Sequence, residues 1–402
     1  MLNLFIFLYV VYIIISLVTA YLQIGFVAKR KKQKPAILDE KEFEKAGDYT
    51  IQTQKLSIIT TVLDIAMLLF WLGLGLVWLD GMFADFVSWQ KAVLFVDSFI
   101  LINWVIALPF SLFSVFVLDK QYGFSNMTAG LYIKDTLKTG VLFLVFGSAV
   151  VAVVAVIVES FELWWIYGFT FLFGVVVLIN MLYPIIRDKM FDKFEKLADK
   201  ELESKINSLL EKVGFRSSGV FSVDASKRDN RLNAYFGGLG STKRVVLYDT
   251  LISKLTHDEL LAVLGHELGH FKNGDVLKNI AITGAILFVF FAIFGNISSA
   301  VFSTLGLVND ASSIIVLFMI FSPAMSFFLM PLISFISRHN EYNADKFGSD
   351  LSSKDDLISA LLKLVRENRS FPFSHAWYVF FYYSHPPLSQ RLKRLGYKKD
   401  DV

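Results

Sequence analysis

The sequence predicts a mostly α-helical, polytopic membrane protein of seven spans carrying a small α+β cap on one face. Three observations predict it: an apolar composition, a series of charge-free windows, and one metal-binding run on an amphipathic helix. The 402-residue chain is 55% hydrophobic and 19% charged, with 40 Phe. Soluble domains run about 45–50% apolar and about 25% charged, so this balance points to a bilayer.

Crossing about 30 Å of hydrocarbon takes about 20 apolar residues. Residues 1–28, 139–158, 163–186, 279–309 and 311–337 contain no Asp, Glu, Lys or Arg, and 56–79 and 92–118 are interrupted only by Asp64 and Asp97. Residues 1–22 lack a basic leader and are read as a retained first span rather than a secretory signal. The absence of Cys excludes disulfides and thiolate zinc ligands. A net charge of +3 gives no basis for a nucleic-acid partner.

Basic residues cluster after every second span. Lys29, Arg30, Lys31, Lys32 and Lys34 follow the first, Lys120, Lys134 and Lys138 the third, the charged region 187–278 the fifth, and Arg338 with a basic tail the seventh. The alternate loops hold Asp80, Asp85, Glu159, Glu162 and Asp310, with Lys91 as their one cation. The expected orientation therefore has the N-terminus outside and the cap in the cytoplasm.

Within 187–278, apolar residues from Met190 to Leu209 recur at roughly helical spacing among charges, which predicts one amphipathic helix over 187–211. Val220-Phe221-Ser222-Val223, Asn233-Ala234-Tyr235-Phe236 and Val245-Val246-Leu247-Tyr248 read as strands, and Gly237, Gly238 and Gly240 between the last two predict a hairpin. Thr256-His257-Asp258-Glu259 is a capping box opening a helix, with His257 solvated in its first turn. Another helix is expected over 338–366, beyond the seventh span. His375, in an aromatic run, carries no readable role. Four regions follow: 1–186, spans one to five; 187–278, the catalytic region; 279–337, spans six and seven; and 338–402, a helical region completing the site.

The capped helix carries His266-Glu267-Leu268-Gly269-His270. Four residues advance a helix by about 400°, so both imidazoles leave nearly one face and can converge on one zinc ion per chain. Glu267 then lies beside the open coordination position as the base that takes a proton from a zinc-activated water. A catalytic zinc needs a third protein ligand. Glu341 is the favoured candidate, with His339 a rival that points about 200° away on the same helix. Asp345, one turn past Glu341, is placed to accept the second N–H of a ligating histidine. His385 and Arg391 are candidates for stabilising the oxyanion, although each has an equally simple structural reading.

Taken with Glu44-Lys45-Ala46, Tyr122-Gly123-Phe124-Ser125, Asn233-Ala234-Tyr235-Phe236, the run Lys243 to Thr250, Glu341 to Asp345 and His385-Pro386-Pro387 with Arg391, the chain resembles the integral-membrane zinc metalloproteases typified by the type I CAAX prenyl endopeptidase. The resemblance implies seven helices around a water-filled chamber, with a gluzincin-like α+β cap. It implies His266, His270 and Glu341 as ligands, Glu267 as base, His385 and Arg391 lining the active site, and Asn233, Ala234 and Tyr235 as an edge strand that holds substrate. It also implies a peptide or protein substrate, with a prenylated C-terminal tail as one candidate. In such a chamber Asp64 and Asp97 face water; the other reading has each reach the interface from near a span end. Two alternatives stand beside this one. The first is a membrane quality-control protease of the same superfamily with non-prenylated substrates. The second is a seven-span transporter or receptor with a non-catalytic zinc site, in which Asp64 and Asp97 mark an ion path.

Overall fold

The computed structural model describes residues 1–238 and 243–397, apart from the side chains of residues 184, 185, 188 and 189. Gly240 of the expected hairpin turn lies outside the described residues. Helices α1 (Leu2–Arg30), α2 (Glu40–Met82), α3 (Ser88–Gln121), α4 (Ala129–Ser160) and α5 (Trp164–Met190) are the first five spans. Helices α6 (Lys200–Val213), α7 (Asp249–Ile252) and α8 (His257–Lys272) belong to the cap. Spans six and seven are α9 (Asp275–Gly295) and α11 (Ala311–Leu351), joined through α10 (Ser299–Thr304). Helices α12 (Lys354–Glu367), α13 (Ala376–Tyr382) and α14 (Leu388–Arg394) follow. The mostly helical, seven-span architecture is the one the sequence predicts.

Two boundaries differ from expectation. No single helix covers 187–211. Helix α5 runs on to Met190, strand β1 (Phe194–Lys196) follows, and α6 begins only at Lys200. Asp199 caps α6 by accepting from the Leu202 amide, and Asp192 is held by Arg187 and Arg228, ties that a helical period cannot reveal. Nor is there a separate helix from 338. Helix α11 continues through the onset of charge to Leu351, and the break comes where Ser353 caps α12. No Gly or Pro interrupts 338–347, so the change of polarity there leaves the helix unbroken.

Strands β2 (Val220–Val223), β3 (Ala234–Gly237) and β4 (Arg244–Tyr248) complete a four-stranded sheet in the order β1-β2-β4-β3. β3 and β4 pair antiparallel, Ala234 opposite Leu247, so the expected hairpin forms and leaves β3 on an edge. Leu202, Ile206 and Leu209 of α6 meet Val245 and Leu247 of the sheet and Leu260, Leu264 and Leu268 of α8 in one apolar cluster. A second cluster ties the end of α1 (Val27) and the start of α2 (Phe43) to Leu357, Leu361 and Leu392. A third, at the far end of the bundle, packs Phe5, Trp71, Phe95, Phe294, Phe302 and Phe321. There Lys91 lies 2.6 Å from Asp80 and 2.7 Å from Asp310, so the one cation of the acidic loops is neutralised.

Between these ends the packing is open. Residues 100–117 of α3 and 129–153 of α4 include no buried side chain. The Asp97 carboxylate accepts from the Ser148 hydroxyl of α4 at 2.7 Å.

Candidate metal centre

Helix α8 is clasped at its start. Thr256 Oγ1 accepts from the Glu259 amide and the Glu259 carboxylate accepts from the Thr256 amide. Glu259 also accepts from Ser359 (2.7 Å) and Lys363 (2.7 Å) of α12, which fixes the rotation of α8. With Leu260, Leu264 and Leu268 turned to the sheet, His266 and His270 face α11.

Each imidazole is gripped at Nδ1 by a separate carboxylate. His266 Nδ1 lies 2.8 Å from Asp345 Oδ1, and His270 Nδ1 lies 3.0 Å from Asp275 Oδ2. Arg391 Nη2 also approaches His266 Nδ1, at 3.3 Å, but a guanidinium only donates, so the Nδ1–H bond goes to Asp345. This leaves both Nε2 atoms aimed at Glu341: His270 Nε2 is 3.2 Å from Oε1 and His266 Nε2 is 3.6 Å from Oε2. The three donor atoms lie within 4.8 Å of one another.

The donor set fits a zinc ion. Bonds of about 2 Å at tetrahedral angles place ligand atoms about 3.3 Å apart, the scale of the two Glu341 contacts. Glu341 Oε2 is buried without a hydrogen-bond partner, an arrangement that is costly unless a cation satisfies it. Burial alone would lower the His270 pKa, yet its bonds to Glu341 and Asp275 push it up to about 9.

Other side chains ring the three donors. Glu267 is partly exposed beside them and makes no ion pair among the described residues. Arg391 is largely but not fully buried, grips Asp345 through Nε (2.8 Å) and Nη2 (2.5 Å), and reaches Glu341 Oε2 at 3.5 Å. Burial works against its charge, but Asp345 outweighs that and holds the guanidinium pKa above its ordinary value. His385 is exposed, with Nε2 3.2 Å from Glu341 Oε1 and Nδ1 2.9 Å from the Ser384 hydroxyl. Ala234 and Tyr235 lie on the edge strand β3, with Asn233 just before it.

The rival His339 is exposed on α11 and is no part of this group. His257 pairs with Asp199 at 3.0 Å, and His375 caps α13 through the Trp377 amide. The residue missed in the sequence is Asp275. Gly274 takes a left-handed turn (φ 70°) between α8 and α9, and that reversal folds Asp275 back onto His270. An acid directly after a glycine and five residues beyond His270 was the available signal.

A model described as "Peptidase family M48" matches residues 196–399, and one described as "CAAX prenyl protease N-terminal, five membrane helices" matches 23–193. The chain belongs to peptidase family M48. CAAX prenyl protease 1 of Saccharomyces cerevisiae is 31% identical over 399 residues, 90% of this chain and 87% of that one. The Homo sapiens CAAX prenyl protease 1 homolog is 28% identical, covering 94% and 93%. The crystal structure of S. mikatae Ste24p superposes with a TM-score of 0.90 at 28% identity, over 97% of both chains. This M48 member is thus a multi-pass membrane metalloendopeptidase resembling the CAAX prenyl proteases, and the transporter or receptor reading falls away.

Proposed function

We propose that His266, His270 and Glu341 hold one zinc ion per chain and that Glu267 is the general base of peptide hydrolysis. The observation carrying this reading is the convergence of two imidazole Nε2 atoms on a buried carboxylate, one oxygen of which has no hydrogen-bond partner. When bound, zinc supplies a water acidic enough to ionise near neutral pH and polarises the scissile carbonyl.

The remaining work falls to the chain's own groups. Glu267 takes the proton of the attacking water and returns it to the leaving amine nitrogen. Asp345 and Asp275 fix the tautomer and tilt of His266 and His270 by accepting at Nδ1. His385, exposed beside Glu341, donates to the carbonyl oxygen as negative charge develops. Arg391 holds Asp345 in register and adds positive charge to the pocket wall. Asn233, Ala234 and Tyr235 offer an unpaired strand edge on which an extended peptide adds as a further strand.

Four further elements belong to the proposal. The divisions 1–186, 187–278, 279–337 and 338–402 act as membrane, catalytic, membrane and site-completing segments. The end of α1 beside the basic segment 29–34 packs with the cap, which supports a cytoplasmic cap and an outside N-terminus. The unburied stretches of α3 and α4 support a water-filled interior. A prenylated C-terminal tail is the substrate that the relatives' names suggest, with unmodified membrane-associated peptides as the other candidate.

The test is purified protein with its zinc measured directly. About one zinc per chain is expected, together with chelator-sensitive cleavage of an unstructured peptide. Glu267→Gln should keep the zinc and lose about 10²–10⁴-fold in kcat. Folded protein without zinc, or an active Glu267→Gln variant, overturns the reading. Matched prenylated and unprenylated peptides then separate the two substrate classes.

A further inference from the structure

The two helices that bear the metal-directed side chains approach more closely than ordinary side chains permit. On α8, Gly265 and Gly269 alternate with His266 and His270; on α11, Ala344 and Gly348 alternate with Glu341 and Asp345. Both sets recur at helical spacing, so each ligand-bearing face is also the small-residue face. A methyl group on Gly348 would sit 2.6 Å from the His266 amide nitrogen and 2.9 Å from its Cα. One on Gly269 would sit 2.8 Å from the Ala344 Cα, and one on Gly265 3.3 Å from the Gly348 Cα.

In every case the obstructing atoms are backbone, and no rotamer change can clear them. Tight glycines within the membrane spans such as Gly168 and Gly284 differ. A methyl there would meet the far ring edges of Phe291 and Phe173, which are side chains that can turn. Non-bonded carbon contacts settle at about 3.5–4.0 Å, so a methyl on Gly348 forces the helices apart by about 1 Å. Metal–ligand distances tolerate about 0.2 Å.

We infer that Gly348 and Gly269 are positioning residues: their missing side chains set the α8–α11 separation at which Glu341 and the two histidines reach one ion. This rests on the zinc reading above. Small residues bring helix backbones together generally; here the consequence is metal affinity. Because His266 is itself the residue that Gly348 touches, displacement at the seam is transmitted directly to a ligand. The ranking follows from the distances, with Gly348→Ala worst, Gly269→Ala next and Gly265→Ala mild. Gly174, on span five with open space around it, supplies the control.

The experiment measures zinc affinity by competition with a chromogenic chelator, and Tm with zinc and with excess chelator, for the full chain in detergent. Gly348→Ala and Gly269→Ala should lose on the order of 10–100-fold in zinc affinity, the scale seen when other supports of a ligand are removed. Gly265→Ala should lose less, and Gly174→Ala should match wild type. The zinc-dependent rise in Tm should shrink in the same order, whereas a purely structural role would lower both Tm values equally. Unchanged zinc affinity in Gly348→Ala, or in Gly269→Ala if the former does not fold, overturns the inference. Wild-type protein that binds no zinc removes the functional reading itself, which is a separate result.

Discussion

Helices α3 and α11 are equally apolar in their most apolar stretches, yet none of that stretch is buried in α3 and 44% is buried in α11. Hydropathy places both in a bilayer and says nothing about which faces meet protein. Burial separates their work. Helix α11 is a pillar: its first half sits in the far-end aromatic cluster and its last turns present Glu341 and Asp345. Helix α3 is a wall, open along residues 100–117. A carboxylate proposed to hold an ion to within tenths of an ångström belongs on the pillar, because rigid packing removes the freedom that would blur it.

The sharpest way to break that contrast is to truncate one side chain in each. Phe321, 1% exposed in α11, stacks on Phe5 at 5.1 Å. Phe321→Ala should cost about 3–5 kcal/mol. Leu101 of α3 is 58% exposed, and Leu101→Ala should stay within about 0.5 kcal/mol. Thermal unfolding in detergent reads both, and equal losses would deny that the two spans differ in role.

A smaller effect tests the pillar's active end against the neighbouring span. Asp345 on α11 and Asp275 on α9 each support one imidazole, but Asp345 is pinned through two nitrogens of the largely buried Arg391, whereas Asp275 is held by the exposed Lys278 at 2.9 Å. Asp345→Asn and Asp275→Asn should each weaken zinc by about 10–100-fold. The larger loss is expected at Asp345, where the largely buried Arg391 loses the charged partner that it grips through two nitrogens. A chelator titration decides the order.

How far the sequence reveals all this depends on whether a feature is written locally. The spans, the Thr256 capping box, the His266–His270 pair and the β3–β4 hairpin are each carried by neighbours in the chain, and the structure contains them. Glu341 was legible through its position at the end of a span, a coarser cue. Asp275 was not singled out, because its relation to His270 runs through the left-handed turn at Gly274. The true ends of α5 and α11 were not legible either. A period that continues past β1, and a polarity change inside one helix, are resolved only by tertiary partners such as Arg228 and by the Ser353 cap.

The clasp at the start of α8 gives the mildest test and has a definite sign in pH. Burial would raise the Glu259 pKa, but Lys363, Ser359 and the Thr256 amide hold it below the ordinary carboxylate value. Its charged form is therefore favoured by folding. The stability it adds is complete above the unfolded value of about 4.3 and is lost as pH falls through the lower folded value. In chelator-treated protein, so that acid release of metal does not intrude, lowering pH from about 5 toward about 3 should reduce Tm more for wild type than for Glu259→Gln. That variant keeps the side chain's shape while removing its charge, so its curve should be flatter. Coincident slopes would mean that the carboxylate does not set the rotation of α8. The orientation of His266 and His270 toward the pillar would then rest on the leucine face alone.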